Sequence, residues 1–420
     1  MKKILIISSY APPAIGGPQI LYNLLKDFPS DSYSILTSFY NIDNLSAQKG
    51  TWLPCRYFFY DNLKKTKEER IKTSQINTLD QKKSSLLLKL KNFVRRNSLV
   101  RNIIGIPVIF MQIFWIIRSG KSVIRQNNPD MLLSISDYGP AMISTYFLSK
   151  ITKKPYMVFL FDLYRDSFYP FPGNFLADIF EKKIFKKAVK IIVTNQGTKD
   201  WYVKRYGNIF SEKIFIVHNS IFPEPYMPLI TPYQPNPPYK IIFTGRIYWP
   251  QIRSLQNLLK AVNEIDDLDV RLEIYCPNDR NYLTKIGIID NEKIKISVAT
   301  PQDMPRIQSQ ADILFLPLSW KTKSQAIIDT ATPGKFADYL IAGRPMLIHA
   351  PASSYLVKYA RENNVAAIVD QENLQDLKRM IKKIVEDLDF SKEIIKNAQG
   401  LFFQNHDINK TIKVFRSLLE

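Results

Sequence analysis

Short apolar runs without polar alternation recur along the chain, separated by stretches whose apolar residues return every three or four positions. In the first half the runs are Ile4–Ile7, Met131–Ile135, Tyr156–Phe161, Val189–Val193 and Lys213–Val217. In the second half they are Lys240–Thr244, Val270–Tyr275, Ile294–Ser297, Ile313–Leu316, Pro345–Ile348 and Ala366–Val369. Continuous Ile, Val and Phe predict strands buried on both faces of a parallel sheet. Helical spacing fills the gaps, most clearly over Leu255–Ile265, Lys335–Ile341 and Leu374–Leu388. The alternation predicts an α/β architecture of two doubly wound, Rossmann-like domains facing each other across a cleft. No internal repeat is visible at the level of sequence.

One segment interrupts the pattern. Residues 223–238 hold seven prolines in 16 positions, which excludes a helix or a central strand because proline lacks an amide donor and restrains its predecessor. It predicts a linker between an N-terminal domain, 1–222, and a C-terminal domain, 239–420, whose last helix is expected to pack back on the first domain. A length of 420 residues agrees with two domains rather than one.

Composition narrows the function. Hydrophobic residues at 45% and charged residues at 23% support full cores. Two cysteines, Cys55 and Cys276, exclude a disulfide scaffold or a Cys-rich zinc site and suit a reducing cytoplasm. Three histidines, none paired at ligand spacing, argue against a His-built metal centre. The apolar stretch after Met1-Lys2-Lys3 is too short for a signal peptide. The formal charge of +20 calls for an anionic partner.

Much of that charge sits in residues 82–125, which contain ten basic residues and no acidic one among Leu86–Leu88, Phe93, Leu99 and an apolar run ending near Trp115. A solvated basic helix followed by a core helix is one reading. The other is a patch for an anionic membrane surface. Nucleic acid is disfavoured, because aliphatic residues dominate and few aromatics are available to stack bases. The apolar run 103–117 covers about 22 Å as a helix, short of a bilayer core of roughly 30 Å, and is not read as transmembrane.

Chemistry in open α/β sheets lies beyond the carboxyl ends of the strands. The first such loop, SSYAPPAIGGPQ, carries Gly16-Gly17 ahead of a helix, which allows close backbone approach by an anion. A plain tight turn explains the pair as well, and the loop is not a GxGxxG. Arg246 ends the run IIFTGR, and Arg253 opens the next helix; two guanidiniums suit a diphosphate, with surface salt bridges as the competing reading. In TATPGKFADYLIAGRP, Gly334 and Lys335 stand where a loop becomes a helix. A first-turn lysine is disfavoured by the helix dipole unless an anion binds there. Asp338 follows on the same helical face, within reach of a ribose or sugar hydroxyl, or else simply complements the dipole. The pairs Asp267/Asp269 and Asp387/Asp389 follow helices and are read as surface turns, so no metal site is expected.

These stretches, with FLFDLYRDSF, EKKIFKKAVKIIVTNQGTKDW, IFIVHNS and ADILFLPL, resemble the GT-B glycosyltransferases of the family 4 type, retaining enzymes that take a sugar from a nucleotide diphosphate. The resemblance spreads over nearly the whole chain. It implies that Gly16 and Gly17 approach the donor phosphates, that Arg246 and Lys335 hold the diphosphate, and that Asp338 contacts the ribose. Asp162 matches the family's first-domain aspartate and is the candidate for contact with the acceptor or the reacting sugar. The chain departs from the pattern at Asp338, where glutamate is usual, at Thr330, where an upstream glutamate is usual, and at Phe161, where a histidine is common; Arg253 is one position off the family's second phosphate lysine. The resemblance implies no cofactor beyond the nucleotide-sugar substrate. It also implies a lipid-linked saccharide acceptor at the inner face of a bacterial membrane, in cell-surface polysaccharide synthesis. A GT-B nucleotide-sugar epimerase, or a non-catalytic membrane- or nucleic-acid-binding scaffold, is the alternative.

Overall fold

The computed structural model describes residues 2–14, 16–79, 98–137, 139–167 and 172–420. The basic segment 82–97, including Arg95 and Arg96, lies outside the described residues. The chain divides into two compact units, Met1–Val217 with Ile412–Glu420, and His218–Thr411.

The first unit holds a seven-stranded parallel sheet built from β1 (Ile4–Ile7), β2 (Tyr33–Thr37), β3 (Arg56–Phe59), β4 (Met131–Ile135), β5 (Tyr156–Leu160), β6 (Lys190–Val193) and β7 (Ile214–Ile216). Their order is β3-β2-β1-β4-β5-β6-β7. Every residue of β1, β4 and β5 is buried, which is why these strands are unbroken apolar runs. β2 and β3 were not legible as strands. β2 interrupts its apolar residues with Ser34, and β3 is a four-residue edge strand that begins on the exposed Arg56.

The second unit repeats the architecture with six parallel strands, β8 (Tyr239–Thr244), β9 (Val270–Tyr275), β10 (Ile294–Ser297), β11 (Ile313–Pro317), β12 (Met346–His349) and β13 (Ala367–Val369). They lie in the order β10-β9-β8-β11-β12-β13. Helix Ile252–Glu264 buries Leu255, Leu258, Leu259 and Val262, the three-and-four spacing of a helix with one face on a sheet. The single helix expected over 374–388 is two helices. Asp387 ends Leu374–Glu386, and its carboxylate then accepts a hydrogen bond from the Phe390 amide to cap Leu388–Leu401.

The proline-rich segment belongs to the second unit, where Tyr226 and Tyr233 are buried. The chain leaves the first unit at Val217 and returns to it at Ile412, within the helix Ile408–Leu419. There Phe415 is fully buried, its ring 6.3 Å from Phe28 and 5.8 Å from Phe159. The returning turn therefore completes the first unit's core. Phe415→Ala is expected to cost roughly 3–5 kcal/mol. Urea unfolding followed by circular dichroism reads this as a lower midpoint for the first unit, and an unchanged midpoint would show that the turn is dispensable.

Candidate active site

In the second unit two of the expected residues, Lys335 and Asp338, are tied to the carboxyl end of β8. The strand ends at Thr244, and Gly245 follows with φ +101°, a conformation that side-chain-bearing residues rarely adopt. A Cβ on Gly245 would lie 3.4 Å from Lys335 Cε, so the loop and the lysine stem pack against each other. Lys335 is the first residue of helix Lys335–Ile341, as its sequence position predicts. Its Nζ sits 3.6 Å from the centre of the Phe243 ring.

The lysine is not the exposed cation that a first-turn position suggests. Part of its stem meets solvent, but Nζ is buried and has no hydrogen-bond partner among the described residues. Burial pushes its pKa down to about 7, against the opposing pull of Asp338. Thr332 Oγ1, three residues upstream, is likewise buried without a partner. A buried ammonium without a partner, beside the positive-φ Gly245, makes a place for an anion that brings its own acceptors.

Asp338 is held from a direction the sequence did not reveal. The Tyr226 hydroxyl, from the proline-rich segment, lies 2.7 Å from Asp338 Oδ1 and 2.8 Å from Gln308 Oε1. Gln308 Nε2 donates to Thr244 Oγ1 at 3.0 Å, and the Thr244 amide donates to the Tyr339 hydroxyl at 3.0 Å. The chain of bonds ties the end of β8 to helix Lys335–Ile341. Burial raises the Asp338 carboxyl to about 6, while Tyr226 and Lys335 pull it down. Tyr226 was invisible because nothing in the sequence pairs it with residue 338.

The remaining predicted residues of this unit behave differently. Arg246 follows Gly245 and is exposed. Gly334 has an ordinary helical conformation and open space around its Cβ direction, so its lack of a side chain is not sterically required. Arg253 is taken up elsewhere: its guanidinium pairs with Glu372 at the surface. The salt-bridge reading therefore holds for Arg253, because a carboxylate stands opposite it. Thr330 is buried and donates to the Ala326 carbonyl at 2.8 Å, a back-bond within its own helix. Asp267 pairs with Lys382, Asp269 with Arg271, and Asp387 caps a helix. Among the described residues no group of three acidic, histidine or cysteine side chains could hold a metal ion.

In the first unit, Gly16, Gly17 and Asp162 lie at the carboxyl ends of β1 and β5. Gly16 has φ +93° and open space at its Cβ position. Gly17 has none: a Cβ there would meet Phe161 Cδ2 at 2.5 Å. The ring in the family's histidine position is thus accommodated by the second glycine. Asp162 is exposed, yet the surrounding protein desolvates it and raises its carboxyl above the ordinary range.

The loop carrying Asp162 is braced by buried polar groups. The Tyr164 amide donates to the Tyr202 hydroxyl at 3.0 Å, and the Arg165 amide donates to Glu181 Oε1 at 2.9 Å. Asp166 accepts from Trp201 Nε1 at 3.0 Å and pairs with Arg205. Glu181, Trp201, Tyr202 and Arg205 come from helices Gly173–Lys187 and Gln196–Tyr206. These helices hold the loop.

Residues 238–387 match the family described as Glycosyl transferases group 1. Over the full chain the fold is similar to that of Anabaena Alr3699/HepE in complex with UDP and glucose, at 12% identity, a TM-score of 0.59, and coverage of 100% of this chain and 99% of that one. The chain has the GT-B fold, and its second unit carries the match to group 1 glycosyltransferases. Sucrose-phosphate synthase from Thermosynechococcus elongatus shares the fold at 11% identity, with a TM-score of 0.65 and coverage of 100% and 99%. The lipopolysaccharide outer core galactosyltransferase WaaB does so at 13% identity, with a TM-score of 0.57 and coverage of 98% and 99%. No curated protein sequence matches the chain.

Two predictions follow from this buried cation. The folded state disfavours the Lys335 ammonium, so below pH 7 its burial lowers stability in full, and the penalty fades as the pH rises toward the unfolded value. Lys335→Met should therefore raise the nucleotide-free melting temperature at pH 6.5 while weakening nucleoside-diphosphate binding by roughly 1.5–3 kcal/mol. Unchanged affinity for every diphosphate in a calorimetric panel would remove the lysine from the site. Near pH 8 most free protein carries a neutral Lys335, and a diphosphate favours the ammonium. Binding should then draw in close to one proton, measured by titration calorimetry in buffers of different ionisation enthalpy; zero uptake at that pH contradicts the assignment.

Proposed function

We propose that the chain moves a glycosyl group, with retention of configuration, from a nucleoside-diphosphate sugar to a lipid-linked saccharide acceptor, in the assembly of cell-surface polysaccharide. The observation that carries the donor assignment is the buried, partnerless ammonium of Lys335 beside Gly245. An anion with several acceptor oxygens satisfies it, and a diphosphate has them. That the Anabaena structure holds UDP and glucose supports a uridine nucleotide as the first donor to test. The acceptor class and the site at the inner membrane face rest on the resemblance and on the basic sequence 82–125.

In this reading the bond between the anomeric carbon and the β-phosphate oxygen breaks, and the leaving diphosphate gains negative charge. Lys335 and Arg246 meet that charge, and the contact strengthens as the charge develops, which lowers the barrier rather than merely binding the donor. Asp338 accepts from a ribose hydroxyl and is aimed by Tyr226. Asp162 meets the acceptor or the reacting sugar, on a loop that Glu181 and Asp166 keep in place.

A melting-temperature panel of UDP, GDP, ADP and their sugars identifies the donor, since a ligand that binds only the folded state raises the transition. With the best donor, Asp162→Asn should retain the ligand-induced shift and lose transfer by roughly two orders of magnitude or more, measured with a radiolabelled sugar. Parental transfer rates in that variant would remove Asp162 from the reaction. No shift with any nucleotide would remove the donor assignment.

A further inference from the structure

We infer that one face of helix Ser98–Asn127 docks on an anionic lipid bilayer and lies in its interface. The helix runs for 30 residues, beyond the apolar run seen in sequence, because its inner face stays packed through Arg118–Asn127, where Ser119, Gly120, Val123 and Ile124 are buried. Its inner face is committed to the first unit. Ile109, Ile113, Ile116, Val123 and Ile124 are buried, and the Ser119 hydroxyl donates to the Tyr60 carbonyl at 3.0 Å.

The outer face is unusual for a protein surface. Phe110, Met111, Phe114 and Trp115 are 40–56% exposed and share adjacent turns of one side. The next turns on that side carry Arg118, Lys121 and Arg125, all exposed, with the Arg118 guanidinium 5.8 Å from the Trp115 ring centre. On a helix lying in the interface, the apolar side chains enter the acyl region while the long Arg and Lys side chains of the following turns reach back to the phosphates.

Charge selects the occupant. Residues 82–125 contain no acidic side chain, so a second copy of this face would bring cations with no carboxylate to receive them. Lipid phosphates receive them directly. By length and composition Gly105–Asn127 could also cross a membrane. The buried inner face and the three cations in its last turns instead keep the helix along the surface of the unit. The inference rests on the glycosyl-transfer reading only for its purpose, bringing the site to a lipid-linked acceptor.

Flotation of the full chain with vesicles tests it. Binding is expected with phosphatidylglycerol mixed into phosphatidylcholine at low salt, with loss at high salt and none on phosphatidylcholine alone. Phe110→Ser combined with Phe114→Ser and Trp115→Ser should abolish it. Arg118→Gln combined with Lys121→Gln and Arg125→Gln should weaken it on the order of a hundredfold. Every changed side chain is exposed, so the melting temperature and its nucleotide-induced shift serve as controls and should match the parent. No binding to anionic vesicles, or parental binding by both variants, overturns the inference. So does a dimer in sedimentation that the aromatic variant dissolves without any vesicle binding, since a second copy then covers the face. Protein that resists high salt and alkaline carbonate and needs detergent for release also overturns it, in favour of a crossing helix. Vesicle binding without any nucleotide response would leave the docking face standing and remove the donor reading alone.

Discussion

A lysine ammonium buried over an aromatic ring, with no carboxylate or carbonyl among the described residues bonded to it, is the constraint around which the second unit is arranged. Such a group is costly to fold, because the ring face returns only part of the hydration it displaces. Asp338, three residues on, lowers that cost, but it is itself desolvated and held by Tyr226. The unit therefore keeps a cation and an anion short of their usual partners within one short helix. A site that must recognise charge and hydroxyl groups on the same ligand needs both, and partners within the protein would compete with the ligand for them.

The first unit solves the opposite problem. Asp162 is exposed on a loop, and loops lose precision unless something else fixes them. Here that role falls to Glu181, fully buried, whose carboxylate receives the Arg165 amide and the hydroxyls of Tyr202 and Tyr206. A buried carboxylate with several donors is satisfied and rigid, whereas the same group with one donor removed would be an uncompensated charge. The network thus converts two helices into a mount for the loop.

Strands buried on both faces were legible because burial removes the polar positions that blur periodicity; β1, β5 and β11 stand out for this reason. The short strands β2 and β3 did not, since a three-residue apolar signal is no different from a packed loop. Lys335 and Asp338 were legible as types and spacing, but their environment was not: exposure depends on Phe243, Gly245 and Tyr226, which lie 90 or more positions away in sequence. Arg253 shows the limit from the other side. Its position suits a phosphate, and only the fold reveals Glu372 opposite it. Glycines were half-legible as well, since Gly17 is required by the Phe161 ring, a contact between distant positions.

The net charge of +20 acquires a different meaning once its placement is known. A uniform excess of cations would serve solubility and little else. In this chain one cation is sequestered beside Gly245, and others line the outer side of a helix whose preceding turns are aromatic. The first location is dry and selects by geometry, since a buried ammonium discriminates among anions through the hydrogen bonds they can return. The second is wet and selects only by sign and by the presence of an apolar phase next to the charge, and salt screens it within about 10 Å. Under the two proposals a single chain recognises a soluble anionic donor tightly and an anionic surface loosely, because burial rather than charge count sets how strongly each cation acts.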